Sequence, residues 1–219
     1  MFHGDKFTRM EQLLYLILGW LLGLLGPGIV ERIRRRYRIS ELTQAIVAEL
    51  GELSYTLALS AYLFCRRTGS LTDEALDWIV LAISRYSGPL ADARMVESVK
   101  RIRSLPEVER IAIATTDTDR GLSLKLLSLP LLEAHLSEMA LFPVAFQTAV
   151  LRVRGQVDVY NQHVQHLQGQ FNLTFTVTDP TNDAALRTNQ IAGFQQLSGM
   201  AKMITDLIAI VPGPNKGRP

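Results

Sequence analysis

An uninterrupted run of uncharged, mostly apolar residues near the N-terminus constrains this chain more than any other feature. It extends from Leu13 to Val30 and is dominated by Leu and Ile. At about 1.5 Å per residue, a helix of that length measures about 27 Å, close to the ~30 Å hydrocarbon core of a bilayer. In lipid, a helix satisfies its own backbone hydrogen bonds, so the run predicts one transmembrane helix over residues 13–30.

Three other interpretations of this run are weaker. A cleavable signal peptide carries its positive charge before the apolar residues and a small-residue cleavage site after them, whereas this run leads directly into Glu31 and Arg32. A helix that lies on the membrane surface needs a polar face, which the run lacks. The core helix of a globular protein is the third alternative, but the run is long and apolar on all sides.

The charges on the two sides of the run predict its orientation. In residues 1–12, two basic and two acidic side chains cancel. Residues 31–39 contain one glutamate and five arginines, which are Arg32, Arg34, Arg35, Arg36 and Arg38. Positive charge stays on the cytoplasmic side, so we expect a short N-terminus outside and the rest of the chain in the cytoplasm. The arginines are also expected to contact anionic lipid headgroups.

Gly19 and Gly23 lie one helical turn apart inside the run. Small residues at this spacing let two membrane helices approach closely, which would allow two copies of the chain to pair through this face. The alternative is that glycine is simply frequent in membrane helices. Pro27 is expected to kink the helix or to end it.

The remaining residues have the composition of one ordinary domain. The chain has 23 basic and 21 acidic side chains, of which 7 and 3 lie in residues 1–38, so the rest carries 16 basic and 18 acidic groups. This mixed, slightly acidic balance argues against a nucleic-acid surface. Cys65 is the only cysteine, so neither an intramolecular disulfide nor a thiolate metal site can form. We expect it to be a small core residue; the alternative is a thiol activated by the adjacent arginines.

Apolar residues spaced three and four apart predict an all-α domain over residues 40–211, most simply a bundle of about four main helices. Ser40 is a plausible N-cap for the first of them, and Asp179 with Pro180 for the last. Residues 171–178 alternate apolar and polar side chains; an extended linker packed on the bundle is favoured over an unpaired strand. Residues 212–219 are predicted to be a disordered tail.

Few residues in this domain suggest chemistry. Asp117 and Asp119 can converge on a cation, and His163 and His166 share one helical face, but neither pair has a third ligand at a suitable spacing. A solvated loop and an exposed helix surface are the favoured interpretations. Asn161 lies among apolar residues and is a possible polar core residue; if buried, it needs hydrogen-bond partners.

The sequence contains no phosphate-binding glycine loop, nucleophile elbow, His-Glu-x-x-His or paired-carboxylate signature. We therefore expect no cofactor and no metal. The favoured function is a single-pass membrane protein whose cytoplasmic bundle acts in assembly, scaffolding or regulation, as a homo-oligomer or with a protein partner. Two alternatives stay open: a ligand sensor with a polar pocket around Asn161, and an oligomerising effector that permeabilises the membrane. An enzyme is the least supported.

Overall fold

The computed structural model describes residues 5–116, 124–174 and 179–213, and within these ranges it is helical without any strand. The prediction of an all-α protein is confirmed. The chain divides into two compact units, Met1–Gln44 and Ala45–Pro219. Its helices are α1 (Asp5–Thr68), α2 (Asp73–Ser84), α3 (Ala93–Arg103), α4 (Glu107–Thr116), α5 (Pro130–Ala134), a 3₁₀ helix (Leu136–Leu141), α6 (Val144–Thr174) and α7 (Pro180–Ala209).

Helix α1 differs from the prediction in its length. It continues through Pro27 and through Ser40, so Pro27 does not end a helix and Ser40 does not begin one. A proline removes one hydrogen bond and distorts a helix without always stopping it. Ser40 can cap a helix only where the preceding residues are not helical, and the preceding arginines are good helix formers.

Helix α1 ends in a Schellman motif at Gly69. This glycine has a φ of 69°, a left-handed conformation that a Cβ would disfavour. The backbone N–H of Ser70 then donates to the carbonyl of Cys65 over 2.9 Å. The bond closes the six-residue turn that is typical of this helix ending.

The core of the second unit forms around the later part of α1. The apolar residues of α1 that recur three and four positions apart are all buried from position 46 onward, as the periodicity predicts: Ile46, Leu50, Leu53, Leu57, Ala61 and Phe64. Another face of α1 packs with α2, α3 and α4 into a cluster of buried side chains that includes Tyr55, Tyr62, Ile79, Val99 and Ala114. Cys65 belongs to this cluster, as expected of a small core residue.

Helices α6 and α7 pack along each other. Helix α6 contributes a buried stripe of seven residues, which are Phe146, Val150, Val153, Val157, Tyr160, Val164 and Leu167. Phe194 of α7 stacks on Phe64 of α1 with 5.5 Å between ring centroids. Gly193 allows close approach, because a Cβ there would lie only 2.9 Å from Cγ of Leu167.

Local capping explains where several of the helices begin. The side chains of Thr72 and Asp92 accept hydrogen bonds from backbone N–H groups in the first turns of α2 and α3. Asp179 does the same for Thr181 over 2.8 Å, with Pro180 as the first residue of α7. The predicted start of the last helix is therefore confirmed.

The structure corrects the prediction for residues 171–174. Helix α6 continues to Thr174, so residues 171–174 are its last turn rather than a linker or a strand. Phe171 and Leu173 are 42% and 51% exposed, so they do not pack on the bundle as expected. Residues 175–178 lie outside the described part of the chain.

Candidate functional site

The apolar run forms an exposed helical surface in the first unit. Its large side chains from Leu14 to Leu21 and from Ile29 to Ile33 are 45–74% exposed wherever they are described. The most apolar 18-residue window has a mean hydropathy of 1.7 and none of it is buried. By length and composition, this part of α1 is able to cross a membrane. A soluble protein rarely exposes an apolar surface of this extent.

Gly19 and Gly23 leave one face of this helix open. A Cβ added at either glycine would meet no atom within 4 Å. The backbone at this face is therefore accessible to a second helix. The five arginines that follow the apolar run are all exposed, as is the adjacent Glu31; they are Arg32, Arg34, Arg35, Arg36 and Arg38.

The two histidines that sequence analysis considered as metal ligands, His163 and His166, both lie beside glutamine side chains. Among the described residues, no group of three His, Cys, Asp or Glu side chains could hold a metal ion. His166 lies 2.9 Å from the side-chain nitrogen of Gln170, and His163 lies 3.4 Å from that of Gln196. Asp117 and Asp119 lie outside the described residues.

Asn161 is half-buried and holds the segment of residues 124–129 against α6. Its side-chain oxygen accepts from the N–H of Leu127, and its side-chain nitrogen donates to the carbonyl of the same residue, both over 2.8 Å. Gln168, two turns later, donates to the carbonyl of Leu124 over 2.7 Å. These two amides pair with main-chain groups of a segment that has no secondary structure of its own. Neither lines the large cleft described below.

Glu49 makes a contact that sequence analysis did not find. Its two carboxylate oxygens accept from the N–H groups of Leu131 and Leu132, over 2.7 and 2.9 Å. These are orphan donors at the N-terminus of α5, whose own N-cap residue, Leu129, supplies no side-chain hydrogen bond. Glu49 therefore caps α5 from a position more than 80 residues away. The one local signal is the pair Leu129–Pro130. Proline is typical of the first residue of a helix, and leucine has no side-chain oxygen with which to cap it.

A charged cluster joins α2 to α3 and α4. Arg103 forms a two-pronged pair with Asp77, over 2.7 and 3.2 Å, and also lies 3.2 Å from Asp73. The buried side chain of Arg110 pairs with Asp73 as well. The hydrogen bond from Arg103 lowers the pKa of the Asp77 carboxyl. This cluster ties three helices together; it contains no nucleophile and no general base set against an open cavity.

The pKa values of two buried tyrosines are raised, whereas that of Asp77 is lowered. Burial raises the pKa of the Tyr160 phenol far above its usual value. Burial also raises the pKa of Tyr62, although the charge and hydrogen bond of Arg66 partly oppose the change.

The large cleft lies in the second unit. It has a volume of about 910 Å³ and is lined by α1, the α2–α3 connection and the last turns of α7. Glu52, Tyr86 and Thr205 are among its lining residues. The volume is that of a small-molecule pocket.

No family model, curated protein or solved structure matches this chain.

Proposed function

We propose that this protein is anchored in a membrane by a single helix over residues 13–30 and that its helical bundle acts in assembly, scaffolding or regulation. The observation that carries the proposal is the exposed apolar window of α1, of which no part is buried. Transfer of apolar surface out of water contributes roughly 25 cal/mol per Å², so a bilayer is the environment that stabilises such a surface.

Charge supports an orientation with the bundle in the cytoplasm. Five exposed arginines follow the apolar window within residues 31–38, whereas the charges of residues 1–12 cancel. Basic residues close to a membrane helix resist translocation. Each arginine also gains about 1 kcal/mol near an anionic leaflet.

The open glycine face supports pairing of the membrane helices. Gly19 and Gly23 lie on one side of α1, and a Cβ at either would meet nothing within 4 Å. A second copy of the helix can approach at this face until the two backbones are in van der Waals contact. A homo-oligomer formed in this way would present several bundles at one place on the membrane, as an assembly or scaffolding protein requires.

Alkaline carbonate extraction tests the anchor. The full chain should remain in the membrane pellet, because an inserted helix is not released when ionic contacts are broken. A variant that lacks residues 1–38 should appear in the supernatant. A matched variant with Arg32, Arg34, Arg35, Arg36 and Arg38 changed to Gln separates insertion from headgroup binding, and should stay in the pellet. Release of the full chain by carbonate would contradict the anchor.

Cross-linking in membranes tests the pairing. Gly19→Ile and Gly23→Ile should each reduce the cross-linked dimer, because a branched side chain separates the two backbones. Gly28→Ile is the matched control, since nine residues at 3.6 per turn place it on the opposite side of the helix from Gly19. Equal dimer yields from all three variants would refute pairing through this face.

A further inference from the structure

The cleft of about 910 Å³ lies entirely within residues 47–209 and has a fixed aromatic wall. The ring of Tyr86 stacks on Tyr55 with 4.8 Å between centroids and an interplanar angle of 29°. A Cβ at Gly51 would contact this ring at 3.9 Å, and a Cβ at Gly88 would lie 2.7 Å from its Cε2 atom. Gly88 therefore has to be a glycine for the ring to lie where it does. The ring is held from several sides and forms a preorganised surface.

Small residues keep the cleft open. Ala48 and Gly51 of α1, Ala82 of α2 and Ala209 of α7 all line it, where larger side chains would fill the space between the helices. Val47 and Ile208 add apolar surface. A molecule in the cleft would thus meet an apolar floor beside the Tyr86 ring, which is the usual composition of a small-molecule site.

More acidic than basic side chains line the cleft. Glu49 and Glu52 lie three residues apart on α1 and both line it, whereas Arg85 is the one basic residue among its lining residues. Glu49 is held in place by the two N–H groups at the start of α5. Glu52 is exposed and has no ion-pair partner within the described ranges. Two carboxylates and an aromatic face attract an organic cation through charge and cation–π contact.

Thr205 lines the cleft, but its hydroxyl is buried away from it. The residue is 6% exposed, and its Oγ1 atom has no hydrogen-bond partner in the described part of the chain. Other helical hydroxyls here, those of Ser60, Thr68 and Thr188, bond to the carbonyl four residues earlier. The Oγ1 atom of Thr205 has almost no accessible surface, so a molecule in the cleft would meet the other atoms of this residue.

We propose that this cleft binds an organic monocation with an apolar body, whose charged group lies between Glu52 and the face of Tyr86. The site does not depend on the membrane anchor, because every lining residue belongs to the unit Ala45–Pro219. The bundle would then be a ligand-binding module as well as an assembly element.

The test uses the full chain in nanodiscs of uncharged phosphatidylcholine, with empty nanodiscs as the blank. Benzyltrimethylammonium is the probe, benzoate is its anionic counterpart, and saturation-transfer NMR measures binding. We expect saturable binding of benzyltrimethylammonium to the wild-type chain. Glu52→Gln and Tyr86→Leu should each weaken it by about fivefold, the size of one charge or cation–π contact. Tyr86→Phe, which keeps the ring, should bind as the wild type does.

Two control variants separate this site from unspecific attraction. Glu74→Gln removes an exposed glutamate of α2 that is not among the lining residues, and should leave binding unchanged. Arg85→Gln should leave it unchanged or strengthen it. The proposal is overturned if benzyltrimethylammonium does not saturate at millimolar concentration, or if Glu52→Gln binds as tightly as the wild type. Preferential binding of benzoate that is lost in Arg85→Gln would assign the cleft to an anion instead.

Discussion

Replacement of Gly193 by Ala tests the packing of α7 on α6 at its closest point. A Cβ at position 193 would lie 2.9 Å from Cγ and 3.0 Å from Cδ1 of Leu167, and closer still to its Cδ2 atom. Leu167 is 3% exposed, so it cannot rotate away into solvent. Overpacking of this kind costs about 1–3 kcal/mol. In a helix interior, Ala gains about 1 kcal/mol over Gly, so the net loss of unfolding free energy should be about 0–2 kcal/mol.

Gly199→Ala is the matched control, because it changes the same helix where a Cβ would meet nothing within 4 Å. It should raise the free energy of unfolding by about 1 kcal/mol through helix propensity alone. The propensity gain cancels between the two variants, so their difference isolates the clash and should be about 1–3 kcal/mol. Urea unfolding in mild detergent, followed by circular dichroism, measures both values. The packing described for Gly193 is refuted if the two variants agree within about 0.5 kcal/mol.

Three further predictions concern polar groups of the bundle. Asn161→Ala should lower the free energy of unfolding by about 1–3 kcal/mol in the same urea assay, because it leaves the N–H and C=O of Leu127 unpaired. Gln162→Ala, on the exposed side of the helix, should change that free energy by less than about 0.5 kcal/mol. Arg103 lowers the pKa of Asp77 below 3.8, so the stability that this pair contributes is present above pH 3.8 and is lost as the pH falls through the lowered pKa. Asp77→Asn should therefore reduce the loss of stability in acid, and an unchanged acid profile would contradict the pairing. Burial raises the pKa of Tyr160 above 10.0, so the stability gained by burying its neutral phenol is complete below pH 10 and is lost at higher pH. Tyr160→Phe should therefore reduce the loss of stability in alkali, measured as the free energy of unfolding against pH, and equal alkaline profiles would refute the burial of an ionisable phenol.

The periodicity of the sequence predicted the core of α1 well. Residues such as Ile46, Leu50 and Leu57 recur at helical spacing and are fully or almost fully buried. The start of α7 was equally predictable, because Asp179 and Pro180 are a cap and a first helical residue with a local mechanism. In both cases, the information lies within a few residues of the feature it determines.

Helix boundaries inside longer helices were less predictable. Pro27 and Ser40 are local signals for a helix end and a helix start, yet α1 continues through both. Apolar and polar side chains alternate over residues 171–178, which favoured an extended chain, but residues 171–174 form the last turn of α6. Tertiary context decides such segments, and the local pattern does not contain it.

The contacts that shape the candidate sites join residues far apart in the chain. Glu49 caps α5, and Asn161 holds Leu127, through hydrogen bonds that span more than 30 residues. Asn161 was singled out because a polar residue lay in an apolar stretch, but its partner is a backbone group and has no sequence signature. The cleft beside Tyr86 likewise depends on glycines and alanines from separate helices, which no local motif marks.

Labelling of single cysteines from the two sides of the membrane tests the central claim most directly. In a Cys65→Ser background, one variant carries His3→Cys and another carries Asn182→Cys, which lies at an exposed position of α7. A membrane-impermeant maleimide is applied to intact cells and then to permeabilised cells. A single helix over residues 13–30, with the bundle in the cytoplasm, predicts labelling at position 3 in intact cells and at position 182 only after permeabilisation. Labelling of position 182 in intact cells, or of neither position until the cells are permeabilised, would contradict it.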